Sequence, residues 1–262
     1  EAARNIVCSG GKPLAITNCL NFGNPYKPEV YWVFKEAVTG MGEACRLFNT
    51  PVTGGNVSFY NENQKGAVFP TPTIGMLGLV EDIQQDTVTF PFKNEGNLVV
   101  YLGAPRLGLG GSEYLSWIHD KTVGDAPNLD LAFEKHLQDG LLAMIHRGWI
   151  KSAHDVSDGG LAITLAEMAL FSGLGAELDL EDMEGTLTEI LFSEAQSGIV
   201  IEITPENWDD FEGFCLEEEI PMQHLGEVGG ESLNVEGVFR IPVSQMKEIY
   251  ESVIPDMMQP SR

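Results

Sequence analysis

The residues best suited to chemistry lie in one stretch, 53–61, with the sequence Thr-Gly-Gly-Asn-Val-Ser-Phe-Tyr-Asn. Gly54 and Gly55 lack a Cβ atom, so their backbone N–H groups can approach a ligand closely. Asn56 and Ser58 follow at alternate positions, and residues two apart on an extended backbone point to the same face. An amide and a hydroxyl beside a glycine turn could bind an anion. The alternative is a hairpin turn with two exposed polar side chains.

A second group of chemically competent residues is His154, Asp155 and Asp158. A histidine and two carboxylates this close in sequence could bind a metal or transfer protons. They also precede a strongly helical pattern at 161–171, where Ser157 or Asp158 is well placed as the N-cap. The spacing therefore favours a helix cap beside a histidine at the end of a strand.

Neither standard nucleotide-binding loop is present in the sequence. Gly11-Lys12 is followed by Pro13 rather than by Ser or Thr, and no G-x-G-x-x-G follows a predicted strand. A phosphate would therefore have to bind through backbone N–H groups, a few side chains and a divalent metal. The four cysteines include no C-x-x-C pair, which favours a reduced, cytoplasmic protein. Cys19 could be a nucleophile, but no histidine lies near it in sequence, which favours an inert thiol.

The chain of 262 residues carries 39 acidic and 15 basic residues, a formal net charge of −24. This negative field repels nucleic acid and anionic membrane surfaces, so neither is expected as a partner. No apolar run in the sequence is long enough to cross a bilayer. The sequence begins at Glu1 in the middle of a pattern, and we expect it to be a piece of a longer protein.

Helical and extended patterns alternate along the chain, which predicts an α+β fold built of α/β layers. A strand at 14–17 is followed by a loop at 18–25, rich in Asn, Gly and Pro. Pro28 then begins a helix whose apolar stripe continues to Phe48. A polar, turn-rich stretch at 81–95 is the expected boundary between two domains.

The remaining segments continue this alternation. The strand at 73–80 is apolar and is expected to be buried, and its two glycines indicate tight packing. The other predicted elements are strands at 97–103 and 198–204, a strand pair within 222–235, and helices at 130–145, 161–171, 207–219 and 244–253.

Four separated segments form a recognisable pattern. They are Thr-Asn-Cys-Leu-Asn-Phe-Gly-Asn-Pro at 17–25, Gly-Gly-Asn-Val-Ser-Phe-Tyr-Asn at 54–61, Leu-Gly-Gly-Ser-Glu-Tyr-Leu at 109–115, and Ser-Ala-His-Asp-Val-Ser-Asp-Gly-Gly at 152–160. Together they resemble the phosphoribosylformylglycinamidine synthases, in particular the synthetase subunit of the small, multi-subunit type. The segments occur in the family's order, and the resemblance extends over nearly the whole chain.

The resemblance implies a fold of the aminoimidazole ribonucleotide synthetase-like type. In this family the synthetase is a tandem duplication, and each half has a strand-rich N-terminal domain and a C-terminal α/β domain. This chain resembles the second half. Residues 1–90 would be the remainder of its N-terminal domain, and residues 91–262 would be its C-terminal α/β domain.

The resemblance also implies the amidation of formylglycinamide ribonucleotide, driven by ATP, in de novo purine biosynthesis. Ammonia would come from glutamine on a separate glutaminase subunit, and a small bridging subunit would complete the complex. The family's catalytic histidine and its other Mg²⁺ carboxylates belong to the first half, so no catalytic residue is assigned here. The piece alone is expected to be inactive and to self-associate through residues 1–90.

Site residues follow from positions in the matching segments. The resemblance implies that Asn18 and Gly55 contact ATP, that Asn56 binds Mg²⁺, and that Ser58 contacts the substrate. The family often has an acidic residue at the position of Asn18, whereas an amide contributes no charge. His154 does not correspond to the family's catalytic histidine.

Two alternatives remain open. One is another enzyme with the same two-domain architecture, such as selenophosphate synthetase, thiamine-phosphate kinase or a hydrogenase maturation protein. Their signatures lie in an N-terminal glycine and aspartate loop that is absent here, and Asn-Phe-Gly-Asn-Pro at 21–25 argues against them. The other is a half without catalytic groups that supports the first half and holds a structural nucleotide.

Overall fold

The structure is a computed structural model that describes residues 1–104 and 107–258. Its helices in these ranges are α1 (Ala2–Cys8), α2 (Pro28–Phe48), α3 (Glu113–His119), α4 (Leu131–His146), α5 (Gly160–Ser172), α6 (Leu187–Phe192), α7 (Trp208–Glu217) and α8 (Val243–Met257). Its strands are β1 (Lys12–Asn21), β2 (Val52–Ser58), β3 (Glu62–Asn63), β4 (Gly66–Ala67), β5 (Thr73–Leu79), β6 (Leu98–Leu102), β7 (Ile150–Asp155), β8 (Ala176–Leu178), β9 (Ile199–Ile203), β10 (Met222–Val228), β11 (Ser232–Val235) and β12 (Phe239–Pro242). The mixed α and β content confirms the predicted fold class.

Two main sheets organise these elements. The first has three strands in the order β2-β1-β5, and the second has seven in the order β12-β11-β8-β10-β6-β9-β7. Strands β3 and β4 form a separate two-stranded sheet. No helix in the described part of the chain is both long enough and apolar enough to span a membrane.

In the first sheet, β1 pairs parallel with β2 and antiparallel with β5. A parallel pair needs a long crossover connection, and α2 supplies it. One face of the sheet's end is closed by edge-to-face contacts of Phe34, on α2, with Phe22 and Phe59. The helix predicted from Pro28 to Phe48 is thereby confirmed.

The other face of this sheet is open. Along β5, exposed and half-buried residues alternate, and Leu77 and Leu79 are 65% and 51% exposed. The prediction of a buried strand at 73–80 is therefore wrong, because only one face of β5 is covered. Its tight packing is confirmed: a Cβ atom at Gly78 would lie 2.3 Å from the side chain of Ile6.

The second sheet is covered on both faces, as its interior strand β6 shows. In β6, Val99 and Tyr101 belong to one apolar cluster, whereas Val100 and Leu102 belong to another on the opposite face. Helices α5 and α6 contribute to the first cluster, and α4 and α7 to the second. The sheet is thus the middle layer of three, which explains why β6 is apolar at successive positions.

A buried carboxylate ties this sheet to the segment before it. Glu202, on β9, has no exposed surface. It accepts hydrogen bonds from the backbone N–H groups of Lys93 and Asn94 and from the side chains of Asn97 and Ser152. A buried charge is tolerated when hydrogen bonds satisfy it in this way.

Helix α1 was not predicted from the sequence, and it connects the two sheets. It contacts β1 and β5 on one side and α4 and β7 on the other. Val7 and Cys8 join the apolar cluster of the second sheet. The chain leaves α1 at Gly10, where φ is +82° and a Cβ atom would lie 1.7 Å from the backbone oxygen of Asp86. Only glycine fits there.

Two predicted boundaries need correction. The loop expected at 18–25 begins only after Asn21, because β2 and β5 pair with β1 as far as Asn21 and Cys19 respectively. The strand pair expected within 222–235 is not a pair, since β8 lies between β10 and β11. The helix predicted to begin near Asp130 is confirmed, and the Asp130 carboxylate caps it by accepting from the N–H groups of Ala132 and Phe133.

Candidate functional site

Four residues were predicted to bind ligands, and they lie on the adjacent parallel strands β1 and β2. Asn18 pairs with Gly55, Cys19 with Asn56, and Asn21 with Ser58. Because paired residues share a face and successive residues alternate, Asn18 and Gly55 lie on one face of the sheet. Asn56 and Ser58 lie together on the opposite face, as their spacing predicted.

Gly54 and Gly55 do not form a turn. Both lie inside β2, so the predicted glycine turn, like the alternative of a hairpin turn, is wrong. The reason for glycine at position 55 is steric. A Cβ atom on Gly55, where φ is +154°, would lie 2.3 Å from Oδ1 of Asn18 and 2.5 Å from its backbone oxygen. The Asn18 side chain therefore fills the space that a residue other than glycine would need.

Gly55→Ala is expected to reduce the free energy of unfolding by about 2 kcal/mol or more, because the new methyl group displaces Asn18 or distorts β2. Gly54→Ala is the matched control, since a Cβ atom there meets only Thr17 Oγ1 at 3.9 Å. Urea unfolding of both variants measures the difference. We also expect Gly55→Val to lower the free energy of unfolding further than Gly55→Ala does, because a β-branched side chain is stiffer and larger. Equal midpoints for Gly54→Ala and Gly55→Ala would contradict the steric explanation.

Asn56 and Ser58 differ in how firmly they are held. Asn56 is exposed, whereas Ser58 is half-buried. The Asn61 side chain donates to Ser58 Oγ at 3.1 Å, to the Ser58 backbone oxygen at 3.0 Å and to that of Phe22 at 3.1 Å. Asn61 therefore fixes the end of β2 and orients the Ser58 hydroxyl.

None of the four residues carries a charged side chain, which limits the chemistry that they can perform. An amide oxygen such as that of Asn56 is a hard ligand suited to Mg²⁺. A serine hydroxyl can donate a hydrogen bond to a substrate. Within residues 1–104 and 107–258, no group of three or more His, Cys, Asp or Glu side chains could hold a metal ion. A metal at Asn56 would therefore not be held by such a cluster within the described residues.

His154 lies near the end of β7 in a compact polar cluster. Its Nδ1 is 2.8 Å from the backbone oxygen of Asp155 and 3.3 Å from Oδ1 of the same residue, and its Nε2 is 3.0 Å from Oε2 of Glu167. Phe90 packs edge-to-face on the ring. Burial alone lowers the pKa of His154, but the hydrogen bonds to Asp155 and Glu167 outweigh it and raise the pKa to about 9. The imidazolium therefore bridges β7 and α5.

The cap predicted for α5 is different from the one observed. Gly159, with φ +81°, is the N-cap, and neither Ser157 nor Asp158 makes a capping side-chain bond. Asp158 is exposed and does not join His154. The preference for a structural role of His154 agrees with these contacts, but the named cap residues were wrong. Glycine replaces a polar cap because the positive φ suits it.

His154→Gln is expected to lose stability in a pH-dependent way. The folded-state pKa of about 9 exceeds the ordinary value of 6.5. The stabilisation is therefore fully present below pH 6.5 and is lost as pH rises through 9. The difference in unfolding free energy between the wild type and His154→Gln should fall by about 3 kcal/mol across that window. Urea unfolding at several pH values measures it, with the exposed Glu181→Gln as control. A difference that is constant with pH would contradict this role.

A segment that the sequence reasoning missed is Ser193–Ser197, which we call the 193–197 segment. Within it, Oε1 of Glu194 accepts from the backbone N–H of Glu113 at 2.7 Å and from that of Gly159 at 2.9 Å. It thereby joins two of the segments on which the family resemblance rests, 109–115 and 152–160. Only its polar composition between an apolar helix and an apolar strand could have drawn notice.

Comparisons with known proteins agree along nearly the whole chain. The family model described as AIR synthase related protein, N-terminal domain, matches residues 1–80, and the model of the C-terminal domain matches residues 94–237. The chain is 45% identical over 263 residues to phosphoribosylformylglycinamidine synthase subunit PurL of Alkaliphilus metalliredigens, covering 99% of this chain and 35% of that protein. It is 51% identical over 249 residues to the same subunit of Chlorobaculum tepidum, covering 90% and 32%.

Solved structures show the same fold at lower identity. T. maritima PurL complexed with FGAR superposes with a TM-score of 0.73 at 19% identity, covering 94% of this chain and 41% of that chain. The structure of PurLQS from Thermotoga maritima gives a TM-score of 0.70 at 17% identity, covering 93% and 40%. The chain thus spans about a third of the curated relatives that it matches. The predicted resemblance to the phosphoribosylformylglycinamidine synthases is confirmed.

Proposed function

The chain belongs to the family of AIR synthase related proteins, and from that premise we propose that it is the C-terminal part of an ATP-dependent carbon–nitrogen ligase. The reaction converts formylglycinamide ribonucleotide, ATP and glutamine-derived ammonia into formylglycinamidine ribonucleotide, ADP and phosphate. The identity with PurL subunits along nearly the whole chain is the observation that carries this proposal.

Four residues of the first sheet would contribute to the site. We propose that Asn18 and Gly55 contact ATP, that Asn56 binds Mg²⁺, and that Ser58 contacts the substrate. The position of Gly55 on an exposed edge strand beside Asn18, the exposure of Asn56 and the fixed orientation of Ser58 support these roles. The metal, when bound, neutralises phosphate charge, while the chain's own residues bind and orient the reactants.

Residues on both faces of the first sheet can contact one ligand because β2 lies at the edge of that sheet. It is the outermost strand of the first sheet, and in the described part of the chain it pairs only with β1. A ligand along this edge could meet the backbone of Gly55 as well as side chains of either face. The N–H groups of an edge strand are also open to an anion, which a strongly acidic chain needs in place of a basic patch.

Asn56→Ala in the full-length enzyme is expected to weaken the use of Mg²⁺ and ATP by about 10–100-fold while the fold stays intact, by analogy with other losses around a metal. The side chain is exposed, so its removal leaves no cavity. Steady-state kinetics across a Mg²⁺ titration measure the effect, and the exposed Asn94→Ala is a control away from the strand. Kinetics identical to the wild type at every Mg²⁺ concentration would contradict a metal-binding role.

The partners and location follow from the same proposal. A glutaminase subunit and a small bridging subunit would join this chain in a cytoplasmic complex. We further propose that residues 1–90 and 91–262 form the two domains of the synthetase's second half. The exposed Leu77 and Leu79 support self-association of the isolated chain through residues 1–90, because apolar surface of this kind tends to find a partner.

A second candidate is a half that only scaffolds the enzyme and holds a structural nucleotide. The uncharged character of the four proposed site residues favours it over independent catalysis. Nucleotide analysis of the purified full-length protein, combined with ammonia-dependent ADP release, separates these roles. Nucleotide that stays bound and is not turned over, together with full activity of Asn56→Ala, would indicate the scaffold. A related enzyme such as selenophosphate synthetase would instead act on a substrate other than formylglycinamide ribonucleotide.

A further inference from the structure

Arg4, on α1, is a charged residue without any exposed surface. Its guanidinium donates to Oε2 of Glu134 at 2.9 Å and to Oε1 of Gln196 at 3.1 Å. The helix that carries Arg4 continues directly into β1 of the first sheet, whereas Glu134 lies on α4 and Gln196 in the 193–197 segment. One side chain thus joins the first sheet's helix to two parts that pack on the second sheet.

The 193–197 segment is held at both of its ends by polar contacts. Ser193 exchanges hydrogen bonds with the backbone of Gly108, and Glu194 binds two backbone N–H groups. Ser197 donates to the same carboxylate, Glu134, that Arg4 binds. The φ of Ser197, +69°, is uncommon for a residue other than glycine. Surrounding contacts must hold such a strained backbone in place, and Arg4 contributes through Glu134, which accepts the hydrogen bond of Ser197.

Residues of this segment line two cavities. One, of about 660 Å³, is lined by the start of α4, by Gln196 and by Ser197. The other, of about 380 Å³, is lined by Gly110, Gly111, Glu194 and Gln196. Gln196 belongs to both walls. A change in its position therefore changes the shape of both cavities.

We propose that Arg4 is an interdomain positioning residue. It holds Gln196 directly, and through Glu134 it holds Ser197 at the end of the 193–197 segment. The walls of both cavities therefore depend on the position of α1. The fork of the guanidinium is suited to this, because it binds a carboxylate and an amide oxygen at once. The first sheet and the cavities of the second are thereby coupled through one buried residue. This coupling goes beyond the proposed reaction and does not depend on which ligand enters the cavities.

Hydrogen exchange at two amides tests the coupling, because the N–H groups of Glu113 and Gly159 donate to Glu194 and so report the segment's position. Gln196→Ala removes the direct contact of Arg4 with the segment but keeps the Arg4–Glu134 pair and the hydrogen bond from Ser197 to Glu134. We expect exchange at both amides to accelerate about tenfold, while the urea midpoint stays that of the control Gln223→Ala.

Arg4→Lys separates positioning from a merely structural ion pair. A lysine keeps the positive charge beside Glu134 but cannot bind two partners in the same fork. We expect it to recover most of the stability that Arg4→Met loses, yet to leave exchange at the two amides about tenfold faster than in the wild type. Two results would overturn the proposal: acceleration below about threefold in Gln196→Ala, or wild-type exchange restored by Arg4→Lys. Neither result bears on whether the enzyme makes formylglycinamidine ribonucleotide.

Discussion

Given formylglycinamide ribonucleotide, ATP, Mg²⁺ and ammonia, the isolated chain of 262 residues is expected to release no ADP above the background rate. A general acid or base must lie within hydrogen-bond reach of the reacting group. Asn18, Gly55, Asn56 and Ser58 include no titratable side chain. The chain also spans about a third of the PurL subunits that it matches.

The measurement compares the isolated chain with a mixture of this chain and the remaining part of the subunit, at equal concentrations. Activity is expected only in the mixture. Urea unfolding of the isolated chain is the control that it is folded, which the two closed apolar clusters of the second sheet lead us to expect. Sedimentation shows whether the chain self-associates under the assay conditions. Turnover by the isolated chain would show that the active site has been misplaced.

Glu202→Ala is expected to lower the free energy of unfolding by about 3–5 kcal/mol, the largest effect of any single substitution proposed. The variant removes the acceptor of two buried side-chain donors, Asn97 and Ser152, and of the backbone N–H groups of Lys93 and Asn94. Each unsatisfied donor costs about 1–3 kcal/mol, and local rearrangement recovers part of the total. The loss also releases the segment at 93–97 from β9.

Urea unfolding at neutral pH measures this loss, with Glu202→Gln and Glu206→Ala alongside. The amide of Glu202→Gln keeps one acceptor oxygen, so an intermediate loss is expected. Glu206 is exposed, and its replacement should change the unfolding free energy by less than about 0.5 kcal/mol. If Glu202→Ala unfolded at the same urea concentration as Glu206→Ala, the hydrogen bonds to Glu202 would contribute nothing to stability.

Elements with a clear local pattern were predictable from the sequence. The apolar stripe of α2 and its Pro28 start gave both ends of that helix, and Asp130 gave the start of α4. The spacing of Asn56 and Ser58 placed them on one face, and the alternation of helical and extended patterns indicated the fold class, which the family resemblance specified further. These features depend on neighbours in sequence, and local physical chemistry specifies them.

Other features depend on distant residues, and the sequence did not reveal them. Helix α1 was missed because its buried face includes Arg4, and a charge conceals the apolar periodicity. Gly54 and Gly55 suggested a turn because glycine pairs usually mark one, whereas the demand for glycine at position 55 comes from the side chain of Asn18 on another strand. The position of β8 between β10 and β11 has no local signature at all.

The strand order of the second sheet sets when this protein can complete its fold during synthesis. Strand β6 pairs with β9 and β10, whose residues follow it by roughly one hundred positions. A ribosome needs on the order of ten seconds to add that many residues. Throughout that interval β6 is an apolar strand with both edges open, the kind of surface that chaperones bind. Until synthesis has passed Met222, one edge of β6 therefore has no partner strand. The addition of β10 is the step that pairs this edge.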